Sequence, residues 1–455
     1  MSRKLNIVIL AAGKGTRMYS ETPKVLHELA GRSLIEHVIS TARNLLPEKI
    51  ILVVGHQAEA SERHLENQNL IFVYQTEQNG TAHALGQALT ALDDDATTLV
   101  LYGDVPLTKT VSLEKLLMQT SPEKMAVLTC QVNNPHGLGR IIRDGNGQIE
   151  AIVEEKDADE KQKEISEINT GIMSFPVNKL KKWLPKIGNK NSQKEYYLTD
   201  IIELARLDGC EVQTVSCDNE TEASGINNML QLSLLEKAYQ LGQAEKLMLQ
   251  GVRISDPQRF DLRGEAEVAT DVQIDINVIL EGKVTLGKNV KIGANCILKN
   301  CQIMQGTEIL PNTIIEDSVI GMHCHIGPFA RIRPGTELKN NAKIGNFVET
   351  KKAQIGEGSK INHLSYIGDS KLGSSVNIGA GTITCNYDGI NKSETKIGNN
   401  VFIGSNTALV APVTIADGAT VGAGSVITKD IETGQLALSR TKQSNIDGWK
   451  RPIKK

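Results

Sequence analysis

The run Leu10-Ala-Ala-Gly-Lys-Gly-Thr-Arg17-Met18, followed by Pro23-Lys24, sets glycines and cations where phosphate could be held. Gly13 and Gly15 permit close backbone approach and positive φ, so amide N–H groups can turn toward phosphate oxygens. Lys14, Arg17 and Lys24 supply countercharge. The pattern is not GxGxxG, because Met18 stands at the third glycine, nor the Walker form GxxxxGK[ST]. Farther on, Leu101-Tyr-Gly-Asp104 closes an apolar run with a carboxylate. A carboxylate facing a phosphate loop suits Mg²⁺, which takes few protein oxygens beside substrate phosphates. Taken singly, each feature also has an ordinary reading, a strand-to-helix turn and a helix-capping Asp.

The elements around these residues decide between the readings. Ile7–Ala11 reads as a strand, Leu34–Leu46 as a helix, Ile50–Val54 as a strand, and a helix containing His83–Leu92 precedes the strand Thr98–Tyr102. This alternation predicts a parallel sheet with helices on both faces. Ligands of such sheets lie at the carboxyl ends of the strands, near the switch in strand order. Both loops leave strands at that edge. Next, Met229–Leu249 carries Leu230, Leu234, Leu235, Leu241 and Leu247 without proline and ends at Gly251, which predicts one long connecting helix packed on its own chain.

The second half beats in sixes. Ile274, Leu280, Leu286, Ile292 and Leu298 keep one phase; Ile320, Ile326, Ile332, Leu338 and Ile344 resume it after a slip. Ile355, Ile361 and Ile367 follow, then Leu372 and Ile378, then Ile397 through Ile427. Such a period fits neither an amphipathic helix nor an alternating strand, and predicts a parallel β-helix whose stacked faces bury columns of aliphatics. Small residues four places on, Cys296 and Cys324 among them, face inward. Polar residues off the inward columns are candidates for chemistry: Arg333, Lys351, His363, Tyr366 and Asn377. The excursion Thr384–Lys396 is the longest break in the late repeat, and insertions into such coils point outward. By residue type alone each of these is an ordinary surface residue.

At 455 residues the chain predicts more than one domain. Lys plus Arg is 50 against 53 for Asp plus Glu, so no global field recruits nucleic acid or membrane. Aromatics at 4% argue against base-stacking platforms. Seven cysteines include no CxxC and no zinc spacing, and His323 and His325 read as solvated surface. The run Leu5–Ala12 after Arg3 and Lys4 loosely mimics a secretory signal, yet leads into the Gly/Lys/Arg loop and reads as a buried strand. No apolar run approaches membrane-spanning length. A reducing, cytoplasmic location is expected.

LAAGKGTRM…PK, QNGTAHA (Gln78–Ala84), YGD (Tyr102–Asp104), LGRI (Leu138–Ile141), VEEKD (Val153–Asp157), NTG (Asn169–Gly171), EYYLTD (Glu195–Asp200) and GINN (Gly225–Asn228) occur in this order. Together they resemble the sugar-nucleotide pyrophosphorylases, most closely the bifunctional N-acetylglucosamine-1-phosphate uridyltransferase/glucosamine-1-phosphate acetyltransferase family, over essentially the whole chain. The resemblance implies a Rossmann-like α/β nucleotidyltransferase domain at 1–228 and a linker helix at 229–250. It further implies a left-handed parallel β-helix acetyltransferase domain at 251–435 and a tail at 436–455 that covers the open end or a neighbouring subunit. In such a family the backbone of Leu10, Ala11, Ala12 and Gly13 and the side chain of Gln75 would hold uracil, near Gly80 and Thr81. Arg17 and Lys24 would bind the triphosphate of UTP. Tyr102 and Gly103 complete the motif whose Asp104, with Asn227, would hold Mg²⁺. Gly139, Glu154 and Asn169 would contact N-acetylglucosamine-1-phosphate.

For acetyl transfer the resemblance implies His363 as general base, with Arg333, Lys351, Tyr366 and Asn377 on glucosamine-1-phosphate. The backbone N–H near Ala380 would serve the oxyanion. Asn386, Tyr387, Ser405, Ala423 and Arg440 would contact acetyl-CoA, and Cys385 is incidental. A homotrimer with sites shared between chains is expected. The family usually has Tyr where Leu138 stands, Gly where Lys194 stands and Glu where Ser224 stands; none of the three is assigned chemistry, and Lys194 alters the charge beside the sugar-side loop. Two rivals are a single-activity pyrophosphorylase with a structural β-helix and a non-catalytic regulatory subunit. The His363 and Asn386 region speaks against the first; intact Arg17, Lys24 and Asp104 speak against the second.

Overall fold

The computed structural model describes residues 4–454, so Arg3, named above, and the last residue of the 436–455 tail lie outside it. The chain divides into two compact units, Met1–Tyr239 and Gln240–Lys455.

The first unit is built on a nine-stranded sheet. At its centre Leu5–Ala11 pairs in parallel with Lys49–Val54 and with Thr97–Tyr102. Ile7, Val8 and Ile9 are fully buried, because helices cover both faces: Val8 joins one core, Ile7 and Ile9 the other. Strand order reverses around Leu5–Ala11, so its carboxyl end opens onto the crevice beside Tyr102. The helix Leu34–Asn44 is started by a capping box between Ser33 and Glu36.

The sheet departs from the all-parallel expectation at Glu167–Pro176, which runs antiparallel to both Thr97–Tyr102 and Lys124–Gln131. Between Gln131 and Glu167 the chain forms the hairpin Arg140–Arg143/Ile149–Val153 and one short helix, Glu160–Lys163. Without a crossover helix, the returning strand must run the other way.

The second unit is a parallel β-helix. Ile274 pairs with Ile292, Ile292 with Ile309, and the same column continues through Ile326, Ile344, Ile361, Ile378 and Ile403 to Val421. These side chains are at most 3% exposed, and burying each contributes roughly 1.5–3 kcal/mol. The slip in the sequence beat has a local cause. Asn300 and Asp317 turn their corners in left-handed conformation (φ 45° and 41°), and these corners are shorter by one residue. Beyond them Ile303, Ile309 and Ile315 carry the columns on, buried. The coil also runs past Ile431, where the beat ends, to a last rung at Leu436–Ala437.

The helix Met229–Leu249 forms as its leucine spacing predicts, and Gly251 (φ 92°) ends it with the N–H of Val252 bonded to Leu247 O. Leu235 is buried in the first unit and Leu247 in the second, whereas Leu230, Leu234 and Leu249 are exposed. The predicted stripe is therefore only half used.

Candidate functional sites

The crevice at the carboxyl end of Leu5–Ala11 is lined by Leu10, Ala11, Ala12, Gly13, Lys24, Gln75, Gly80, Thr81, Tyr102 and Asp104, with Gln78 and Glu195 added by the structure. Gly103 N–H donates to Leu10 O at 2.9 Å, which ties the two loops together. Gly80 (φ 111°) starts the helix Thr81–Ala88 so tightly that a Cβ there would lie 2.5 Å from Tyr196 O. At Gly13, by contrast, an added Cβ meets no protein atom within 4 Å.

A second cleft, lined by Leu138, Asn169, Ser224 and Asn227, shares Tyr102 and Asp104 with the first. The two clefts thus meet at Asp104. Its Oδ2 accepts a bond from Lys24 Nζ, which also donates to Asn227 Oδ1 at 3.0 Å; Arg17 Nη2 donates to the same oxygen at 2.9 Å. Residues far apart in sequence therefore converge on one cationic point. A carboxylate and an amide oxygen meeting one ammonium fit a hard divalent cation, with phosphate and water completing the shell.

Gly139 and Glu154 sit to one side and line neither cleft. Asn169 N–H donates to Gly139 O at 2.8 Å, and Thr199 Oγ1 to Glu154 Oε1 at 3.4 Å. Desolvation, reinforced by the carboxylates of Asp200 and Asp157, holds the Glu154 carboxyl above the usual range. Tyr102 is pushed up by desolvation, then by Glu154 and Asp104. Lys194 lies in the left-handed region at φ 57°, which explains why a glycine would be expected there.

In the coil, register sorts the remaining candidates. Asn346 pairs directly with His363, and His363 Nδ1 lies 2.8 Å from Asn346 Oδ1. A carbonyl oxygen accepts only, so this contact puts the proton of a neutral imidazole on Nδ1 and leaves the Nε2 lone pair free. Ile361, Ile378, Ile403 and Val421 pair in succession, so the residues two places on, His363, Ala380, Ser405 and Ala423, stack at one corner. Arg440 Nη1 donates to Ala423 O at 2.8 Å and closes that column.

The next corner carries the cations. Ile332 pairs with Thr350 and Thr350 with Ile367, so Arg333, Lys351 and Gly368 follow one another. Thr350 is fully buried in an aliphatic's place, and the beat slips beyond it because the corner to Ile355, turned at Lys352 (φ 46°), is shorter by one residue, as at Asn300 and Asp317. Arg333 Nη1 donates to Glu349 Oε1 at 2.6 Å, and Glu349 pairs with Tyr366. Lys392, from the excursion, and Arg333 depress the Lys351 ammonium. Asn386 donates to Asp369, while Tyr387 is exposed and its hydroxyl donates to Gly389 O within its own loop. Asn377 is paired with Lys360 and Phe402 and makes no side-chain hydrogen bond among the described residues.

Sequence reasoning missed Asn346, Glu349 and Lys392. Counting one coil back from His363 and Tyr366 would have found the first two. Cys296 and Cys324 are fully buried as expected, with burial pushing both thiols up to about 11. His323 and His325 are exposed, and His325 lies 3.4 Å from Glu308.

Residues 7–165 match the family described as MobA-like NTP transferase domain. Residues 262–338 match the GMPPB C-terminal domain, and 394–429 the bacterial transferase hexapeptide (six repeats). Among solved structures, a nucleotidyl transferase from Methanothermobacter thermautotroptrophicus is 16% identical, covering 52% of this chain and 97% of that one with TM-score 0.38. A nucleotidyltransferase sheet followed by a hexapeptide-repeat coil defines the class, a two-unit transferase. Over 450 residues the chain is 55% identical to the bifunctional protein GlmU of Marinobacter nauticus, covering 99% of each. It is 55% identical over 451 residues to that of Cellvibrio japonicus, covering 99% of this chain and 100% of that one. The chain belongs to the bifunctional GlmU family, and is an enzyme with acetyltransferase and uridylyltransferase activities in UDP-N-acetylglucosamine synthesis.

Proposed function

We propose that residues 251–435 acetylate glucosamine-1-phosphate from acetyl-CoA and residues 1–228 convert the product, with UTP, into UDP-N-acetylglucosamine and pyrophosphate. The helix at 229–250 links them and 436–455 is a tail. The observation that carries the nucleotidyl reading is the convergence of Lys24, Arg17, Asp104 and Asn227 between two joined clefts. An oxygen of the sugar phosphate attacks the α-phosphorus of UTP, and pyrophosphate leaves. Both reactants are anionic, so alignment and charge neutralisation carry the rate and no protein nucleophile is needed. Gln75, Gly80 and the Leu10–Gly13 backbone orient the base; Lys24 and Arg17 neutralise the triphosphate; Gly139, Glu154 and Asn169 position the sugar. Asp104 and Asn227 would hold Mg²⁺, which when bound supplies further charge neutralisation at the phosphates.

On the coil, His363 Nε2 takes the proton of the C2 amine as it attacks the thioester, a backbone N–H at Ala380 meets the developing oxyanion, and the C–S bond breaks so that coenzyme A leaves as its thiol. Arg333, Lys351, Tyr366 and Asn377 hold the amino-sugar phosphate. Asn386, Tyr387, Ser405, Ala423 and Arg440 hold acetyl-CoA. A homotrimer completes these sites. Support comes from one column at the coil corner, where Asn277, Asn295 and Asn312 bond in a ladder and are then succeeded by Phe329, Phe347 and Leu364. The latter are 50%, 55% and 62% exposed, and hold φ of 54°, 55° and 47°, costly for bulky residues. An exposed apolar step in strained backbone suits burial against a second copy. No helix among the described residues is long and apolar enough to cross a membrane; action in the cytoplasm belongs to the proposed reading.

The test of the metal reading is pyrophosphate release at varied Mg²⁺. Asp104→Ala should lower the rate at least a hundredfold, and Asn227→Ala should raise the Mg²⁺ needed for half-maximal rate. Unchanged Mg²⁺ dependence in both variants would remove this assignment.

A further inference from the structure

Gln75 is only 4% exposed, at the end of the strand Ile71–Tyr74, with its backbone N–H bonded to Val54 O at 2.8 Å. Its amide nitrogen has two hydrogens and two acceptors. Nε2 donates to Gly80 O at 3.2 Å and lies 2.9 Å from His83 Nδ1. His83 is itself rooted in the helix Thr81–Ala88, with its ring 6.5 Å from that of Tyr196 and its Nε2 3.3 Å from the Gln87 amide. His83 Nε2 faces the Gln87 amide nitrogen, itself a donor, so Nδ1 accepts from Gln75 only with the Gln87 amide turned to bring its oxygen to the Nε2–H. Both hydrogens of the Gln75 amide are then turned away from the cleft. Only Oε1, an acceptor, is left to face a base.

We infer that His83 is a positioning residue that fixes the Gln75 amide and thereby sets the preference for uracil over cytosine. The inference rests on the reading of Gln75 as the base-facing side chain. Uracil presents an N3–H donor, which a fixed Oε1 accepts; cytosine presents an N3 lone pair, which it repels. Were the His83 acceptor absent, the amide could rotate and offer Nε2 to cytosine. A buried polar site built for one hydrogen-bond pattern rejects the reversed pattern strongly, so the orienting group controls selectivity without touching the nucleotide.

The experiment is pyrophosphate release by the full chain with UTP and with CTP, comparing kcat/KM ratios. His83→Phe keeps the ring and deletes the acceptor. Its UTP-over-CTP ratio should fall roughly tenfold through a raised KM for UTP, with kcat for UTP near wild type. His83→Asn, whose Oδ1 can stand where Nδ1 does, should keep the ratio. A purely structural role would lower both nucleotides together. A wild-type ratio in His83→Phe, or an equal loss in His83→Asn, overturns the inference. If circular dichroism shows His83→Phe unfolded, His83→Leu carries the same comparison. Gln75→Leu separates the two layers. If it leaves the ratio unchanged, the base-facing reading of Gln75 fails; if it collapses the ratio while His83→Phe does not, only the role of His83 fails.

Discussion

Replacing His363 by Ala should divide the two activities. The ring is exposed at a coil corner, so its loss opens no cavity and should change stability by no more than about 0.5 kcal/mol. The hydrogen bond of its ring to Asn346 Oδ1 orients the imidazole and, in the neutral ring, leaves the lone pair on Nε2. A positioned general base contributes typically 10²–10⁴-fold, about 3–5 kcal/mol at 1.36 kcal/mol per decade. The kcat for acetyl transfer should fall by that factor, measured as free coenzyme A thiol released over time. KM for glucosamine-1-phosphate should stay within a few-fold, because Arg333 and Lys351 are untouched. Pyrophosphate release by the same preparation should be unchanged, since each unit has its own core. Asn346→Ala should give a smaller loss, roughly fivefold, the scale of one neutral hydrogen bond near 1 kcal/mol. Acetyl transfer within threefold of wild type in His363→Ala would refute the general-base assignment. A parallel fall in both activities would show that folding, not chemistry, had been damaged.

Gly13→Ala tests whether that glycine serves the protein or a ligand. An added Cβ meets no protein atom, so Tm should hold while KM for UTP rises at least tenfold; a wild-type KM would sink the phosphate-loop reading. Lys194→Gly should raise stability by about 0.5–1 kcal/mol in urea unfolding, by relieving the left-handed backbone at φ 57°. A loss of stability would mean that side-chain contacts of Lys194 outweigh its strain. Glu154→Gln should make the ligand-free protein more stable at pH 8 than wild type, with the gain shrinking toward pH 4. The folded carboxyl titrates high, so what its acid form contributes is complete below the unfolded pKa of about 4.3 and lost as pH rises through the folded value. Thermal unfolding at both pH values checks this, and equal differences at both would contradict it.

The inward columns of the coil were readable because six residues, one face and one bend, recur wherever corners keep their length. Ile303, Ile309 and Ile315 were missed where corners at Asn300 and Asp317 drop one residue. Thr350 was missed because a buried threonine takes an aliphatic's place, its Oγ1 3.3 Å from that of Thr336. Motif order in the first half pointed to Lys24 and Asp104, but their meeting over Asn227 is set by strand order and by the return of 225–228 to Asp104, where Ile226 N–H bonds Asp104 O at 2.9 Å. No local pattern encodes that. The antiparallel strand Glu167–Pro176 was equally hidden, since the direction of a buried strand leaves no mark on its composition.

In both units the groups assigned to anionic substrates are already paired with protein partners. Lys24 rests on Asp104 and Asn227, Arg333 on Glu349, and Asn386 on Asp369. A half-buried carboxylate left alone would be costly, so these pairs keep the ligand-free sites compatible with folding. Substrate binding is then an exchange. On the proposed reading Lys24 would leave Asp104 for phosphate and Asp104 would be freed to hold a metal, so the net gain is a difference between two sets of contacts. Lys351 differs, since Lys392 and Arg333 raise the cost of its charge and the carboxylate of Asp369 only partly offsets them. A phosphate arriving there relieves repulsion as well as forming new contacts. The amino-sugar phosphate should therefore be anchored chiefly at the Lys351 corner, with Arg333 contributing less because it gives up Glu349 to bind.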